Sequence, residues 1–378
     1  MPVKVLIAPD KFKGSLSAVV VGEAIREGLL LANPLIECEI VPLADGGEGT
    51  SDVLTKFSRG TFQRVIARDP MHQNIIAEYG ISLDDSTAFM EMAAASGLHL
   101  VPANARNPLY ASTEGTGDLI RDALDRGVRN IFVGIGGSAT NDGGMGAMIA
   151  LGVRYYDNTG ALLDGCGASL HKIQSIDISN LHSGMREASF TIFCDVDNPL
   201  YGSQGAAQVF GPQKGASPAM VEVLDGGLRH YEKVLQRYGY SNTHFPGVGA
   251  GGGFPLSLAV FSHAVIRSGI DFIMDFVGLE QKIQNADFVI TGEGKLDEQT
   301  LSGKVVKGVA SLAARYSKPV VVIAGSASLD EAGIQSLGVS HVITLVNGQT
   351  SIDEAILHGR ELIRKRVQEN YLSIAGDR

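Results

Sequence analysis

DFVITGEGKLDEQTLSGK, residues 287–304, is the stretch whose reading decides the fold. Residues 288–290 are a short apolar run of strand type, Ser302 opens a helical pattern, and the residues between are crowded with Gly, Glu, Lys, Asp and Thr. The order is strand, polar loop, helix. In a parallel sheet such loops leave at the carboxyl edge, where open α/β proteins bind ligands. The same order recurs in APDKFKGSLS from Ala8, ADGGEGT from Ala44, GIGGSATNDGG from Gly134 and CDVDNPLYG from Cys194. If the sheets are parallel, these loops meet at one cleft.

Working outward, residues 4–8 and 37–43 read as strands around an amphipathic helix at 15–31, with Leu16, Val20, Ala24 and Leu29 on its apolar side. That βαβ unit implies a parallel pair. Residues 50–57 read as a further helix. From Thr61 the texture changes to short alternating runs at 62–67, 74–81 and 87–91, separated by turn residues, which suggests an antiparallel meander. A helix is expected at 116–126, strands at 130–133, 153–156 and 189–194, and helices at 218–238, 256–268 and 272–283. Residues 245–253 are too rich in glycine to be anything but a loop. After the opening stretch come a helix at 303–316, strands at 319–324 and 341–345, and a terminal helix at 352–369. The expected fold class is α/β. A discontinuous Rossmann-like parallel-sheet domain, residues 1–60 and 286–378, carries a second, inserted α/β domain with antiparallel strands, residues 61–285.

Composition narrows the functions. A chain of 378 residues is long enough to bury two cores without disulfides. Its formal charge of −10 argues against nucleic acid or an anionic membrane as partner. An anionic substrate must then be held by local positive charge, and Lys11, Lys13, Lys214, Lys295 and Lys304 stand in or beside the glycine-rich turns. The apolar run at residues 5–8 is too short for a signal-peptide core, and no later segment approaches a span of around 18 uncharged apolar residues. Cys38, Cys166 and Cys194 show no metal spacing, so a cytoplasmic protein with packing thiols is expected.

The glycines admit several chemistries. No P-loop or protein-kinase catalytic loop is present. Gly134, Gly136 and Ala139 fit a dinucleotide fingerprint, with Asp157 about 20 residues on, which keeps a dehydrogenase open. Gly247, Gly249 and Gly252 repeat the spacing without a preceding strand. Phosphoryl transfer instead needs carboxylates for Mg²⁺, cations for the transferred group and a base for the acceptor hydroxyl. Asp10, Asp45, Asp142, Asp195, Asp197, Glu293 and Asp297 all stand at or just past strand ends. Helix capping is an equal explanation for Asp10 and Asp142. It is weaker for Asp195, which has no helix to cap, and for Asp45, which precedes two glycines. The histidines form no metal pair.

Taken together, APDKFKGSLSA, PLADGGEGT, GIGGSATNDGGMGA, CDVDNPLYGSQGA, FGPQKGA and TGEGKLDEQTLSGK, in this order, resemble the type 1 glycerate kinases of bacteria across essentially the whole chain. That family commonly has Ser at the position of Lys11 and often Thr at that of Asp197. The resemblance implies two α/β domains with a cleft between them and ATP-dependent phosphorylation of D-glycerate with Mg²⁺, usually to 2-phosphoglycerate; a monomer or homodimer is expected. On that expectation Asp195 orients or deprotonates the acceptor hydroxyl, and Asp45 lies near the metal or rivals it as base. Lys13, Lys214 and Lys295 neutralise the carboxylate and the phosphoryl group, and Ser138, Thr140 and Asn141 hydrogen-bond substrate or phosphate. Gly292, Glu293, Gly294 and Asp297 serve nucleotide, with Glu293 also toward metal. A non-catalytic nucleotide or sugar-acid sensor remains the third reading.

Overall fold

The computed structural model describes residues 2–301 and 304–375, so Ser302 and Gly303, where the helical pattern of the opening stretch was expected to start, lie outside the described residues. Its strands are β1 Lys4–Ile7, β2 Glu37–Ile40, β3 Thr61–Arg68, β4 Asn74–Ile81, β5 Thr87–Glu91, β6 Asn130–Gly134, β7 Arg154–Tyr156, β8 Ser175–Asp177, β9 Ser189–Phe193, β10 Val265–Arg267, β11 Phe288–Leu296, β12 Val320–Ala327 and β13 His341–Thr344. The chain divides into two compact units. One joins the residues up to Asp45 with those from Ile270 onward, and the other is the continuous segment Gly46–Gly269.

The first unit is built on a five-stranded sheet of order β13-β12-β11-β1-β2 in which every pair is parallel. Alternation along β12 explains its two apolar layers. Val321 and Ile323 point to a core shared with Val21, Ile25 and Leu29 of helix Ala18–Ala32 and Ile363 and Val367 of helix Gly359–Glu369. Val322 and Ala324 point to the other face, with Val306 of helix Val305–Arg315 and Leu337. Burial on both faces is why β1, β11 and β12 carry continuous apolar runs. Counted within this unit, the sheet order is 2-1-3-4-5, and the order reverses between β1 and β11. Loops leaving neighbouring strands at such a point part to opposite faces and open a crevice at the carboxyl edge.

The second unit holds a six-stranded sheet of order β10-β9-β6-β5-β4-β3. β3, β4 and β5 form the expected antiparallel meander, while β5, β6, β9 and β10 run parallel. β7 and β8 stand apart as a two-stranded antiparallel pair. The helix Thr50–Phe57, grouped from sequence with the amino-terminal domain, packs on β4 and β5 and lies in this unit. Helix Leu279–Asn285, grouped with the insertion, packs on Val305–Arg315 in the first unit.

Several elements differ from expectation. β11 does not stop at Ile290: it pairs with β12 as far as Leu296, because β12 offers a backbone partner along the whole length and ladder hydrogen bonds override the polar local composition. The helix expected over 256–268 ends at Ser262, where His263 takes a left-handed φ of 57°, and the next residues form the edge strand β10. Three residues are too few to show alternation. The terminal helix is two, Ile352–Leu357 and Gly359–Glu369. No helix among the described residues is long and apolar enough to cross a membrane.

Candidate functional site

In the first unit the reversal point of the sheet is acidic. Asp10 follows β1, its backbone N–H donating to the Gly292 carbonyl oxygen at 2.8 Å, so the Asp10 loop runs beside β11 where Glu293 sits. Asp10 is not a helix cap: its carboxylate accepts from the Lys11 N–H at 2.7 Å, and helix Ala18–Ala32 is capped by Ser17 instead. Burial, then the nearby Asp45 carboxylate, pushes Asp10 up to about 7. Burial likewise raises Glu293 to about 7, against the Thr300 hydroxyl that donates to it at 2.5 Å and the Lys304 charge. Asp297 and Asp45 add to the rise. Two half-titrated carboxyls beside the half-buried Asp45 form a site that a cation would return to the ionised state. Among the described residues no three His, Cys, Asp or Glu side chains form a metal cage. Mg²⁺ rarely uses one, taking one or two carboxylates and completing its shell with water and phosphate oxygens, so this donor set fits it.

The other residues expected here are placed less tightly. Gly292 and Gly294 lie inside β11, and their lack of a side chain has a packing reason: a Cβ on Gly292 would fall 2.4 Å from the Ile323 carbonyl oxygen, and one on Gly294 3.1 Å from the Lys13 nitrogen. Asp297 caps the short helix Glu298–Leu301 by accepting from the Gln299 N–H at 3.0 Å. Lys295 is exposed and sits 3.5 Å from Asp297. The Lys13 side chain is exposed as well.

In the second unit the register Glu91–Gly134–Phe193–Arg267 aligns the carboxyl ends of β5, β6, β9 and β10 in one row. The loops carrying Ser138, Thr140 and Asn141 and the loop carrying Asp195 therefore leave from adjacent strands on the same edge. Asp195 is exposed, with Oδ1 accepting from the Gly269 N–H at 3.1 Å. The glycine-rich segment Gly247–Gly253, whose last three glycines are non-helical inside the stretch Ala250–Ser262, stitches the two loops together: the Gly249 N–H donates to the Asn198 carbonyl oxygen, and the Gly143 N–H donates to the Gly252 carbonyl oxygen, both at 3.0 Å.

Lys214, on the short 3₁₀ turn Pro212–Lys214, ends inside the Ser138–Asn141 loop. Its Nζ donates to Ser138 Oγ at 2.9 Å and to the Thr140 carbonyl oxygen at 2.6 Å, and the residue is only 3% exposed. Burial lowers it to about 7, against the pull of the Asp142 carboxylate. The penalty on the charged form is on the order of 5 kcal/mol. Beside it, Thr140 Oγ1 and both amide atoms of Asn141 are sealed from solvent and have no hydrogen-bond partner. Each such atom costs roughly 1–3 kcal/mol if left dry.

Asp142 meets the capping reading in part, accepting from the Gly146 N–H in the first turn of helix Met145–Ala150, and does more besides. Fully buried, it accepts from the Thr113 N–H and hydroxyl at 2.8 and 2.7 Å and from the Gly144 and Gly146 N–H groups at 3.0 and 3.2 Å, clamping the end of the loop. A second brace runs from Tyr155 through the Tyr231 hydroxyl to Ser257, whose Oγ donates to the Gly143 carbonyl oxygen at 2.5 Å. Thr113, Tyr231 and Ser257 were not anticipated, since their partners are remote in sequence and none lies in a motif.

The dinucleotide fingerprint does not have its required setting. After Gly136 the chain continues as loop to Gly144 before the six-residue helix Met145–Ala150, so no long helix N-terminus faces the glycines. Asp157 follows β7, which is not in the sheet of β6, and its carboxylate holds a turn by accepting from the Thr159 and Ala161 N–H groups.

Residues 5–374 match the family model described as the glycerate kinase family. The chain is 42% identical over 372 residues to the "Glycerate kinase" of Bacillus subtilis (strain 168), covering 98% of this chain and 97% of that one. It is 43% identical over 353 residues to the "Glycerate 2-kinase" of Escherichia coli (strain K12), covering 93% of each. A crystal structure from Salmonella typhimurium LT2, described as a "putative glycerate kinase 2", superposes with a TM-score of 0.88 at 41% identity over 99% of both chains.

Proposed function

The chain belongs to the glycerate kinase family, and on that premise we propose that it transfers the terminal phosphoryl group of ATP to the 2-hydroxyl of D-glycerate, yielding 2-phosphoglycerate and ADP. It is a kinase, and the observation that carries its substrate is Lys214, a buried lysine with no carboxylate bonded to it, in a loop with unmatched polar side chains. Such an arrangement stabilises an incoming anion far more than a solvated lysine does.

The two units divide the labour. The second carries the acid: Lys214, Ser138, Thr140 and Asn141 bind it, and Asp195, on the adjacent strand's loop, takes the hydroxyl proton as the oxygen attacks phosphorus. The bond from phosphorus to the bridging oxygen breaks, and ADP leaves with that electron pair. The first unit carries the nucleotide and metal groups. Asp45 and Glu293 would hold Mg²⁺, Asp297 and the backbone at Gly292 and Gly294 line the nucleotide side, and Lys13 and Lys295 supply mobile positive charge. Mg²⁺ supplies charge neutralisation at the transferring group.

A coupled ADP assay with D-glycerate, together with identification of the phosphorylated product, tests the reaction. ADP release that requires both glycerate and Mg²⁺ supports it. Binding of both ligands without ADP release would instead make the chain a sensor. Asp195→Asn removes the base, so kcat falls by about 10²–10⁴ while ATP affinity stays within about twofold. Wild-type turnover in that variant removes Asp195 from the chemistry.

A further inference from the structure

Resting on Asp195 as the base and deepening that reading, we propose that Glu232, on helix Pro218–Arg237, is a positioning residue of the reaction: it anchors the far end of the loop that carries Asp195 and so holds that carboxylate in place. Asp225, Arg229 and Glu232 follow one another at helical spacing, which puts them on one stripe of the helix. All three grip the same two residues at the end of the loop. The Gly202 N–H donates to Asp225 Oδ1 at 2.7 Å, the Arg229 guanidinium carbon lies 4.5 Å from the centre of the Tyr201 ring, and the Tyr201 hydroxyl donates to Glu232 Oε2 at 2.8 Å. Glu232 is only 2% exposed, and a carboxylate so deeply buried is costly unless its oxygens are engaged. Its other oxygen, Oε1, stands 2.5 Å from His244 Nδ1, and the His244 ring meets Tyr201 edge-on with centroids 6.3 Å apart.

These contacts reach Asp195 through the backbone. His244 leads into the glycine-rich segment whose Gly249 N–H holds the Asn198 carbonyl oxygen, and Asn198 Nδ2 donates to the Gln204 carbonyl oxygen at 2.8 Å across the turn that follows Tyr201. The loop is therefore pinned at the end of β9, at Asn198 and at Tyr201–Gly202. Asp195 lies between the first two pins and is exposed, so its position follows the backbone that carries it. Tyr231, next to Glu232 and turned about 100° around the same helix, braces the Ser138–Gly144 loop through Ser257. One helix thus fixes both loops, and with them the spacing between the base and the residues placed at the acid.

The test uses the full chain and two readouts. Tyr201→Phe keeps the ring beside Arg229 and removes only the hydroxyl that donates to Glu232. Amide hydrogen exchange without substrates is expected to quicken at least about tenfold over residues 195–202 in this variant and to stay unchanged in β9. In the coupled ADP assay its kcat falls at least about tenfold while KM for ATP stays within about twofold. Glu232→Ala behaves alike, and Glu232→Gln, which still offers Tyr201 an acceptor, recovers kcat to within about threefold of wild type. Should Glu232→Ala fail to fold, Tyr201→Phe carries the test alone. Action through Asp195 shows as coupling: made on top of Asp195→Asn, Tyr201→Phe lowers the residual kcat by less than about threefold, because no base is left to misplace. The proposal is overturned by unchanged exchange over residues 195–202, by wild-type kcat in Tyr201→Phe, or by a loss that multiplies in full with Asp195→Asn, the mark of a purely structural brace. Failure of the kinase reading shows separately, as no ADP release by the wild-type chain from ATP and glycerate, and failure of the base assignment as wild-type turnover in Asp195→Asn.

Discussion

Lys214 is the residue where burial, charge and pH meet. Its proton is lost near 7 in the folded protein, against 10.5 for an ordinary lysine. Above about pH 7 the free protein holds the amine neutral, so binding a carboxylate there takes up a proton, and the affinity for D-glycerate is expected to fall by up to about tenfold per pH unit between about pH 7 and 9. Lys214→Met should flatten that profile at a low affinity, and a wild-type slope in this variant would dismiss Lys214 as its origin. Stability carries the opposite sign. Between about 7 and 10.5 the unfolded chain binds the extra proton, so the Lys214 contribution to unfolding free energy rises with pH through that window. Urea unfolding of wild type and Lys214→Met at several pH values reads it as a difference that changes across the window and is flat outside it.

At the scale of elements, the glycine run Gly251–Gly253, which breaks the helical geometry inside the stretch Ala250–Ser262, sets the shape of the Ser138–Asn141 loop. Gly251, Gly252 and Gly253 have φ of 57°, 75° and 88°, and a Cβ on Gly252 would fall 2.1 Å from the Thr140 carbonyl oxygen, the atom that accepts from Lys214. Gly252→Ala must therefore both strain its own backbone and push that carbonyl, with an expected stability loss of about 1–3 kcal/mol and a drop in glycerate affinity of at least about tenfold. Gly226 is the matched control. It is exposed within helix Pro218–Arg237, and a methyl added there would meet nothing within 4 Å, so Gly226→Ala should stabilise by about 0.5–1 kcal/mol and leave binding alone. Thermal unfolding and calorimetry on the pair separate the two effects, and equal behaviour would refute the account of the glycine run. The glycines were visible in the sequence as a loop. Their target was not, because Thr140 is more than a hundred residues away along the chain.

At the scale of the molecule, one unit is a continuous segment and the other is assembled from both ends of the chain. The segment Gly46–Gly269 contains its own six-stranded sheet and a core that includes Tyr79, Tyr155, Phe254 and Leu256, all fully buried. Expressed alone it is expected to unfold as one cooperative transition and to retain measurable glycerate binding, because every residue placed at the acid lies within it. Residues 1–45 alone carry only β1, β2 and one helix and should not fold, since β1 lacks its partner β11. A segment without a cooperative transition by circular dichroism would reject this division.

Local order determined what the sequence could reveal. Alternation and apolar runs marked most strands, the antiparallel meander of β3 to β5 and the return to βα alternation near the carboxyl end, and polar loops after strands singled out Asp45, Ser138, Asn141, Asp195 and Glu293. These are signals of short range, carried by neighbours a few residues apart. Only the tertiary structure decided that β11 continues to Leu296, that Asp142 is a buried clamp, that Asp10 stands with Glu293 at the reversal point of the sheet, and that Lys214 reaches Ser138 and Thr140. Each of those outcomes depends on desolvation or on a hydrogen bond between distant residues, quantities that exist only once the chain has closed around them.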